Sequence, residues 1–464
     1  MSSDLSEDIQ VLSLNDKEEE AKPQDEAIVP HVRQMVQAVI DLWKEDPDTE
    51  DALIGELYYL VKKKNPNWDF TEQQLEKTLK EHGFIVDQTL FTFAEQITST
   101  LTPNLSKIFN EEEASFKVDF SEKSGKGLYA KRDISKGEVL WKEEPFIMVP
   151  PIELLRLVKH GKACTYCGKP MVSMTTDRLL KGLDCNVCNE LWCSIGCKRK
   201  DLLHPQAKHG VYGIRTKGIN SKAWLALEDF CIENDWSSVY AAAIIYAREL
   251  LDKSKNVYDQ FHSMAKISQT VRDQASSLSE FEASIHEGKL AECHQLFNKC
   301  FPKKPISYET LMEYVGTYNI NNVDNCLFLV YAHLNHSCDR NVSIDLQPKR
   351  ADGLQVTALR DIAAGEQLTT TYVSPTMSLQ DRQRELRLNW GFICECSRCV
   401  LESKQREKRR SSRNSTAEAD NRTEIREMLK EESVEFDMEE QKLEQGKRRR
   451  SVRFNETVIA HSNK

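Results

Sequence analysis

Ten of the fourteen cysteines in this 464-residue chain fall into spacings that suit a metal ion, and no other feature restricts the fold as much. Cys164-x2-Cys167, Cys185-x2-Cys188 and Cys193-x3-Cys197 are followed by His204 and His209. Thiolates and imidazoles this close in sequence suit tetrahedral zinc, and eight of them suggest two ions. Core packing does not require paired thiols. A second set, Cys394-Glu-Cys396-Ser-Arg-Cys399, lies near residue 400, with Cys338 upstream. Such usage fits a reducing compartment better than a disulfide framework. The other four, Cys231, Cys293, Cys300 and Cys326, read as ordinary buried thiols.

Two polar motifs flank the first cysteine series. Upstream stand Gly125-Lys126-Gly127-Leu128-Tyr129-Ala130, then Asp133 to Glu138 with its own glycine, then the apolar Val139-Leu140-Trp141. Downstream stand Asn335-His336-Ser337-Cys338, Gly365-Glu366-Gln367-Leu368 and Thr371-Tyr372. A Gly-x-Gly alone marks little more than a turn with positive φ. In this order, the motifs resemble the two halves of a SET domain, the fold of S-adenosylmethionine-dependent protein lysine methyltransferases. The cysteine series between them resembles a MYND finger, and a SET domain with that insert is the SMYD arrangement. The resemblance covers roughly residues 113–402, and among its members the fungal histone H4 lysine methyltransferases look nearest.

The resemblance implies a set of roles. Interleaved finger ligands would pair Cys164, Cys167, Cys193 and Cys197 at one zinc, and Cys185, Cys188, His204 and His209 at the other. The His-x4-His ending departs from the family's more usual His-x3-Cys. Cys338, Cys394, Cys396 and Cys399 would hold a third, structural zinc beside the lysine channel. Tyr372 would be the central hydroxyl at the methyl-transfer pore. Asn335 and His336 would grip the cofactor and form the crossing where the chain passes under a loop. Lys126 would sit against the cofactor's methionine moiety, with close approach permitted by Gly125 and Gly127. Asn319 is a further cofactor candidate, and Phe392, after Trp390, would close over the adenine.

The fold class expected is therefore α+β: a SET-domain β fold with a crossed C-terminal segment, split by a MYND-like zinc finger and helical insert. Residues 1–27 are acidic and poor in large apolar side chains, so they read as disordered. Residues 28–112 read as a small helical domain. Val32, Met35, Val36, Val39, Ile40 and Trp43 form one helical stripe, and Leu53, Leu57, Tyr58 and Val61 a second. A third helix opens on the capping box Thr71-x-x-Gln74, with Phe70 against Leu75, and stops near Gly83. Then come the first SET half (113–155), the finger (160–212), a helical insert (213–300), the second SET half (301–376), a post-SET zinc segment (377–402) and a disordered charged tail (403–464). The insert carries Trp224, Leu225, Leu227, Phe230, Ile244, Ile245 and Leu250 at helical period and is expected to cover the sheet.

Composition narrows the function. With 40% hydrophobic residues the chain can bury a sizeable core. No run approaches the eighteen or so apolar residues of a membrane span, and Met1-Ser-Ser-Asp opens no signal region, so a soluble protein that is not secreted is expected; the resemblance implies nucleus and cytoplasm as its place. The net charge of −10 argues against general duplex binding by the whole molecule. It suits a lysine-rich substrate drawn to an acidic cleft, for which Glu143, Glu144, Asp324 and Glu395 are candidates. Lys62, Lys63 and Lys64 read as a solvated helix end before a nucleic-acid surface. Basic runs at 404–413 and 447–450 admit nuclear import or nucleic-acid contact. Arg450-Ser451-Val452-Arg453-Phe454 resembles the RVxF segment that adds a strand to protein phosphatase 1, with Ser451 as a switch.

The leading reading is a protein lysine methyltransferase acting on the histone H4 tail or another lysine-rich protein of chromatin. An adaptor using finger and tail, with the SET fold as scaffold, is the alternative. Nucleic-acid binding by the terminal segments is compatible with either.

Overall fold

The computed structural model describes residues 28–415, apart from 47–48, 50–51, 53, 82–91, 104, 106–109, 111, 122–124, 172–181, 211–217 and 276–279. Leu53, Gly83, residues 1–27 and the Arg450 to Phe454 motif lie outside the described residues. The chain divides between Ile85 and Val86 into two compact units, each taken by itself here.

The smaller unit holds α1 (Val32–Glu45), α2 (Ile54–Lys64) and α3 (Glu72–Glu81). Their apolar stripes meet in a core of Met35, Val39, Leu42, Leu57, Val61, Phe70, Leu75 and Leu79. The capping box is present: the Thr71 N–H donates to Gln74 Oε1 at 2.9 Å, and the Gln74 N–H to Thr71 Oγ1 at 3.2 Å. His31 and Gln34 make a second box at α1. Lys62 lies over the Tyr58 and Phe70 rings, Lys63 over Tyr59, and Lys64 pairs with Glu45. This basic helix end is occupied with its own neighbours.

The larger unit contains nine strands among its described residues. β1 (Phe116–Ser121), β2 (Gly125–Ala130), β3 (Val139–Glu143) and β4 (Ile147–Met148) precede the finger. The short helix α4 (Leu155–Lys159) precedes the cysteine series, which carries α5 (Ile195–Lys200) and α6 (His204–Ala207). The insert follows as α7 (Ser221–Asn234), α8 (Ser237–Leu251), α9 (Asn256–His262), α10 (Gln269–Ala275) and α11 (Glu280–Cys300), and α12 (Tyr308–Asn321) comes after it. Then come β5 (Cys326–Leu327), β6 (Asn335–His336), β7 (Val342–Leu346), β8 (Leu354–Ala358), β9 (Gln367–Thr370), α13 (Leu379–Trp390) and α14 (Ser397–Ser415). Three small sheets result, ordered β1-β2-β9-β6, β3-β8-β7 and β4-β5. The β6–β9 pair is parallel, with Asn335 opposite Thr369 and His336 opposite Thr370.

The insert does more than cover a sheet. From Val239 to Ala247, α8 is buried on every side, and its Ala241-Ala242-Ala243 run lets neighbouring helices approach closely. Around it gather Trp224, Leu227, Phe297, Phe301, Leu311 and Tyr318, a core of the insert's own that reaches the strands through Ile147 and Leu327. The strands have a separate core of Phe116, Leu128, Trp141, Val342, Val356 and Leu368, in which the finger's Cys164, Cys167 and Trp192 also lie.

Three sequence expectations change. Residues 92–103 belong to the larger unit and not with the N-terminal helices, because Phe93 buries its ring there. The charged tail does not begin at 403: α14 runs on to Ser415 from the Cys399 end. The acidic-cleft assignment also fails for Glu143, which is 6% exposed and accepts the Val330 N–H at 2.8 Å, the Tyr331 N–H at 3.0 Å and Trp141 Nε1 at 3.4 Å. Its alternation on β3 points it inward, where it caps a turn. Glu144 pairs with Lys200 and Asp324 with Arg350; Glu395 alone of the four is exposed and outside an ion pair among the described residues.

Candidate active site and thiol clusters

The parallel β6–β9 pairing brings the two later motifs together. Tyr372 follows β9 directly, and its N–H donates to Nδ1 of His336 at 3.0 Å. Its hydroxyl donates to the Leu334 carbonyl at 2.7 Å. Asn335 reaches the first motif: its Nδ2 donates to the carbonyl of Lys126 at 2.9 Å, across 209 residues of sequence. Ring centroids place His336 5.2 Å from Tyr372 and 5.8 Å from Phe392, and Trp390 5.2 Å from Tyr372. Tyr372, Asn335, His336, Phe392 and the start of β2 at Gly125 to Gly127 thus form one constellation. Desolvation of the Tyr372 hydroxyl, and then the neighbouring Tyr331, push its pKa upward, so the group stays a phenol.

The two glycines have different reasons. Gly125 holds φ +65 with open space where a Cβ would point. A Cβ on Gly127 would lie 2.4 Å from Gln367 Nε2 and 3.3 Å from Asn335 Nδ2. One is needed for its backbone angle and the other for the approach of β9 and β6.

Lys126 is 5% exposed, and its ammonium donates to two carbonyls, Ser263 at 2.9 Å and Thr100 at 3.2 Å. Burial pushes it down to about 7. Asn319 sits on α12 and gives its amide to Gln269 Oε1 at 2.8 Å, not to the other candidates.

Sequence reasoning missed Asn341, which is 1% exposed. Its Nδ2 donates to Gln367 O at 2.8 Å and Glu366 Oε1 at 2.9 Å, and its Oδ1 accepts the Thr369 N–H at 2.8 Å. It therefore fastens the Asn335-His336 crossing to β9. The only signal was an asparagine at the mouth of an apolar strand, where a bare amide has to find partners.

All three ligand sets assemble: Cys164, Cys167, Cys193 and Cys197; Cys185, Cys188, His204 and His209; and Cys338, Cys394, Cys396 and Cys399, each with ligand atoms within 4.8 Å of one another. Separations such as Cys193–Cys197 at 3.4 Å, Cys167–Cys193 at 3.6 Å, Cys185 to His204 at 3.4 Å and Cys338–Cys399 at 3.5 Å approach the edge of about 3.8 Å that zinc–sulfur bonds of about 2.3 Å imply. The donors fit zinc in number, type and spacing.

The surroundings supply outer partners. His204 Nδ1 faces Glu190 at 3.3 Å, and Lys208 joins Glu190 at 2.6 Å to Glu228 of α7 at 2.8 Å. Against the cost of burial, His204 and Lys208 hold the Glu190 carboxyl down to about 2. At the third set, Arg382 of α13 is 1% exposed and directs Nε to Cys338 Sγ at 3.3 Å, NH1 to Met377 O at 2.8 Å and NH2 to Glu402 at 2.5 Å. A guanidinium there offsets the charge of clustered thiolates. In sequence, it looks like one more charge on a polar helix.

Residues 125–373 match the SET domain family. The chain is 44% identical to Histone-lysine N-methyltransferase SET5 of Candida albicans, over 99% of both chains. It is 43% identical to the protein of that name from Scheffersomyces stipitis, over 98% of both, and 32% identical to that of Saccharomyces cerevisiae, over 81% of this chain and 76% of that one.

Proposed function

The chain belongs to the SET-domain family and, within it, to the fungal histone-lysine N-methyltransferases named SET5, and from that membership we propose that it transfers methyl groups from S-adenosylmethionine to lysines of the histone H4 tail. The observation that carries the reading is the joining of Tyr372, His336, Asn335 and Lys126 of β2 in one hydrogen-bonded unit. A scaffold has no need of it, which favours catalysis over the adaptor reading.

When bound, S-adenosylmethionine would supply an electrophilic methyl group on a sulfonium and, as a thioether, the leaving group. The chain has to align a neutral lysine amine with it, and this chain's residues would hold the amine in line with the carbon–sulfur bond. Tyr372 donates its O–H to the Leu334 carbonyl, so its oxygen lone pairs remain to accept from the amine and orient it. With its pKa raised it is no base, and the amine's first proton leaves to water. Gly125, Gly127, Asn335 and His336 would hold the cofactor, Phe392 would cover its adenine, and the Lys126 ammonium, bonded to carbonyls and to no carboxylate among the described residues, would face its amino-acid end.

Zinc at the three ligand sets would be structural, since each set offers four protein donors and leaves no open position. The first two sets would make the finger of MYND type. We place the protein on chromatin in the nucleus, with a cytoplasmic pool, and assign Arg450 to Phe454 as a phosphatase-docking segment on its likeness to the RVxF motif. No helix among the described residues is long and apolar enough to cross a membrane.

The test is methyl transfer from labelled S-adenosylmethionine to core histones and to isolated H4, wild type against Tyr372→Phe, with cofactor binding measured for both. Label on H4 that the substitution removes is expected. Cofactor binding without label on any histone would send the substrate elsewhere, and no cofactor binding would sink the catalytic reading.

A further inference from the structure

Residues 93–102 precede every motif of the candidate site, yet they touch three segments that carry it. Phe93 is 1% exposed. Its N–H and that of Ala94 both donate to the carbonyl of Gly391, at 3.0 and 3.1 Å. Gly391 stands between Trp390 and Phe392, holds φ +76, and has the Phe93 ring so close that a Cβ would meet Cδ2 at 2.4 Å. Ring and glycine interlock behind the aromatic wall that faces Tyr372.

The same segment then crosses to the other two. Thr98 pairs antiparallel with Lys266, and the Thr100 N–H donates to Ser263 O at 3.1 Å. The Thr100 carbonyl accepts from the Lys126 ammonium at 3.2 Å. The Thr102 N–H donates to Nε2 of His333 at 3.4 Å, and His333, 1% exposed, has Nδ1 against Leu329 O at 2.9 Å. Burial pushes that imidazole down to about 3, so it is a neutral ring with Nε2 as acceptor. Asn335 is two residues further on. The wall at 390–392, the start of β2 at 125–127 and the entry to the crossing are remote in sequence, and this one segment fastens all three.

We propose that residues 93–102 are a positioning strap for the methyl-transfer pocket and that Phe93 is its main positioning residue. The inference rests on the function proposed above. In-line transfer tolerates little misalignment, and a shift of about 1 Å can cost on the order of a hundredfold in rate. The strap contacts no reacting group; it sets where the wall and Lys126 of β2 stand relative to the crossing. A SET domain begun at residue 113 would lack it.

Full-length Phe93→Ala and Phe93→Leu are compared with wild type and with Phe297→Leu, a core substitution in the helical insert where Phe297 is fully buried. Melting temperature, S-adenosylmethionine affinity, and kcat and KM on histones are measured well below the melt. Phe93→Ala should weaken cofactor binding and lower kcat, each by about tenfold or more, with partial rescue in Phe93→Leu. Phe297→Leu should lower the melting temperature while leaving affinity and kcat within about twofold. Phe93 variants that lose thermal stability but keep wild-type kcat and affinity would overturn the strap. If the alanine variant does not fold, the leucine variant decides by the same criterion. Failure of the wild type itself to bind cofactor would instead defeat the function proposed and the strap with it.

Discussion

Tyr372 and His336 are joined by a hydrogen bond from the tyrosine's backbone N–H to Nδ1 of the imidazole, 3.0 Å long. A neutral ring that accepts at Nδ1 carries its proton on Nε2, and that atom lies 3.3 Å from Cys338 Sγ. The imidazole therefore links the hydroxyl-bearing residue to the third thiol set. Changes at that set should reach Tyr372 through a single ring.

Tyr372→Phe removes the hydroxyl and leaves the Leu334 carbonyl without its donor. Leaving a buried acceptor unpaired costs about 1–3 kcal/mol, a loss of stability the domain should survive. Transfer should suffer more, with kcat down about a hundredfold or more and cofactor affinity near wild type. Single-turnover kinetics with calorimetric binding separates the two.

The paired substitutions Gly125→Ala and Gly127→Ala should behave differently. Alanine at 125 meets no neighbour and bears only the left-handed backbone, about 1–2 kcal/mol. Alanine at 127 has to displace Gln367 and crowd Asn335, so cofactor binding should weaken well beyond the change in stability. Equal affinity in both variants would remove the positioning role of Asn335.

Elemental analysis of the full-length protein should return three zinc equivalents, one for each four-donor set. Cys338→Ser should lose one equivalent and, through His336, lower kcat. Arg382→Met should keep the equivalents but release the third ion faster to a chelator, because the guanidinium beside Cys338 and Cys399 is gone.

Lys126 gives a pH dependence of stability. Its folded pKa, lowered by burial to about 7, lies below the unfolded 10.5, so the unfolded chain binds the extra proton between those values. The penalty is fully present below about pH 7 and fades as pH rises from there toward 10.5. Lys126→Met should flatten that rise in stability between pH 7 and 10, read as the difference between the two denaturation midpoints.

What could be read in the sequence was local or already paired by spacing. The Thr71–Gln74 box, the finger ligand sets and the run from Asn335 through Tyr372 each announce themselves within a few residues or through a fixed motif. What could not be read were partners set by the three-dimensional path. Nothing near Phe93 says that it meets Gly391, and Glu143 looks like a surface carboxylate until β3 turns it toward the Val330 and Tyr331 amides. Arg382 and Asn341 are polar residues whose burial depends on neighbours far along the chain.

The split sheet bears on how the molecule assembles. β2 finds β9 only after the finger and the insert have been made, and Asn335 closes on Lys126 across 209 residues. As a slack loop, that span would make pairing slow and leave strand edges open meanwhile. A finger and helical insert that fold first hold their own ends together, since Ile147 and Met148 pair with Leu327 and Cys326. The long loop then becomes a short one in entropic terms. Zinc uptake by the finger would thus act as a timing step in biogenesis, and metal-starved chains would stall with the catalytic sheet unpaired.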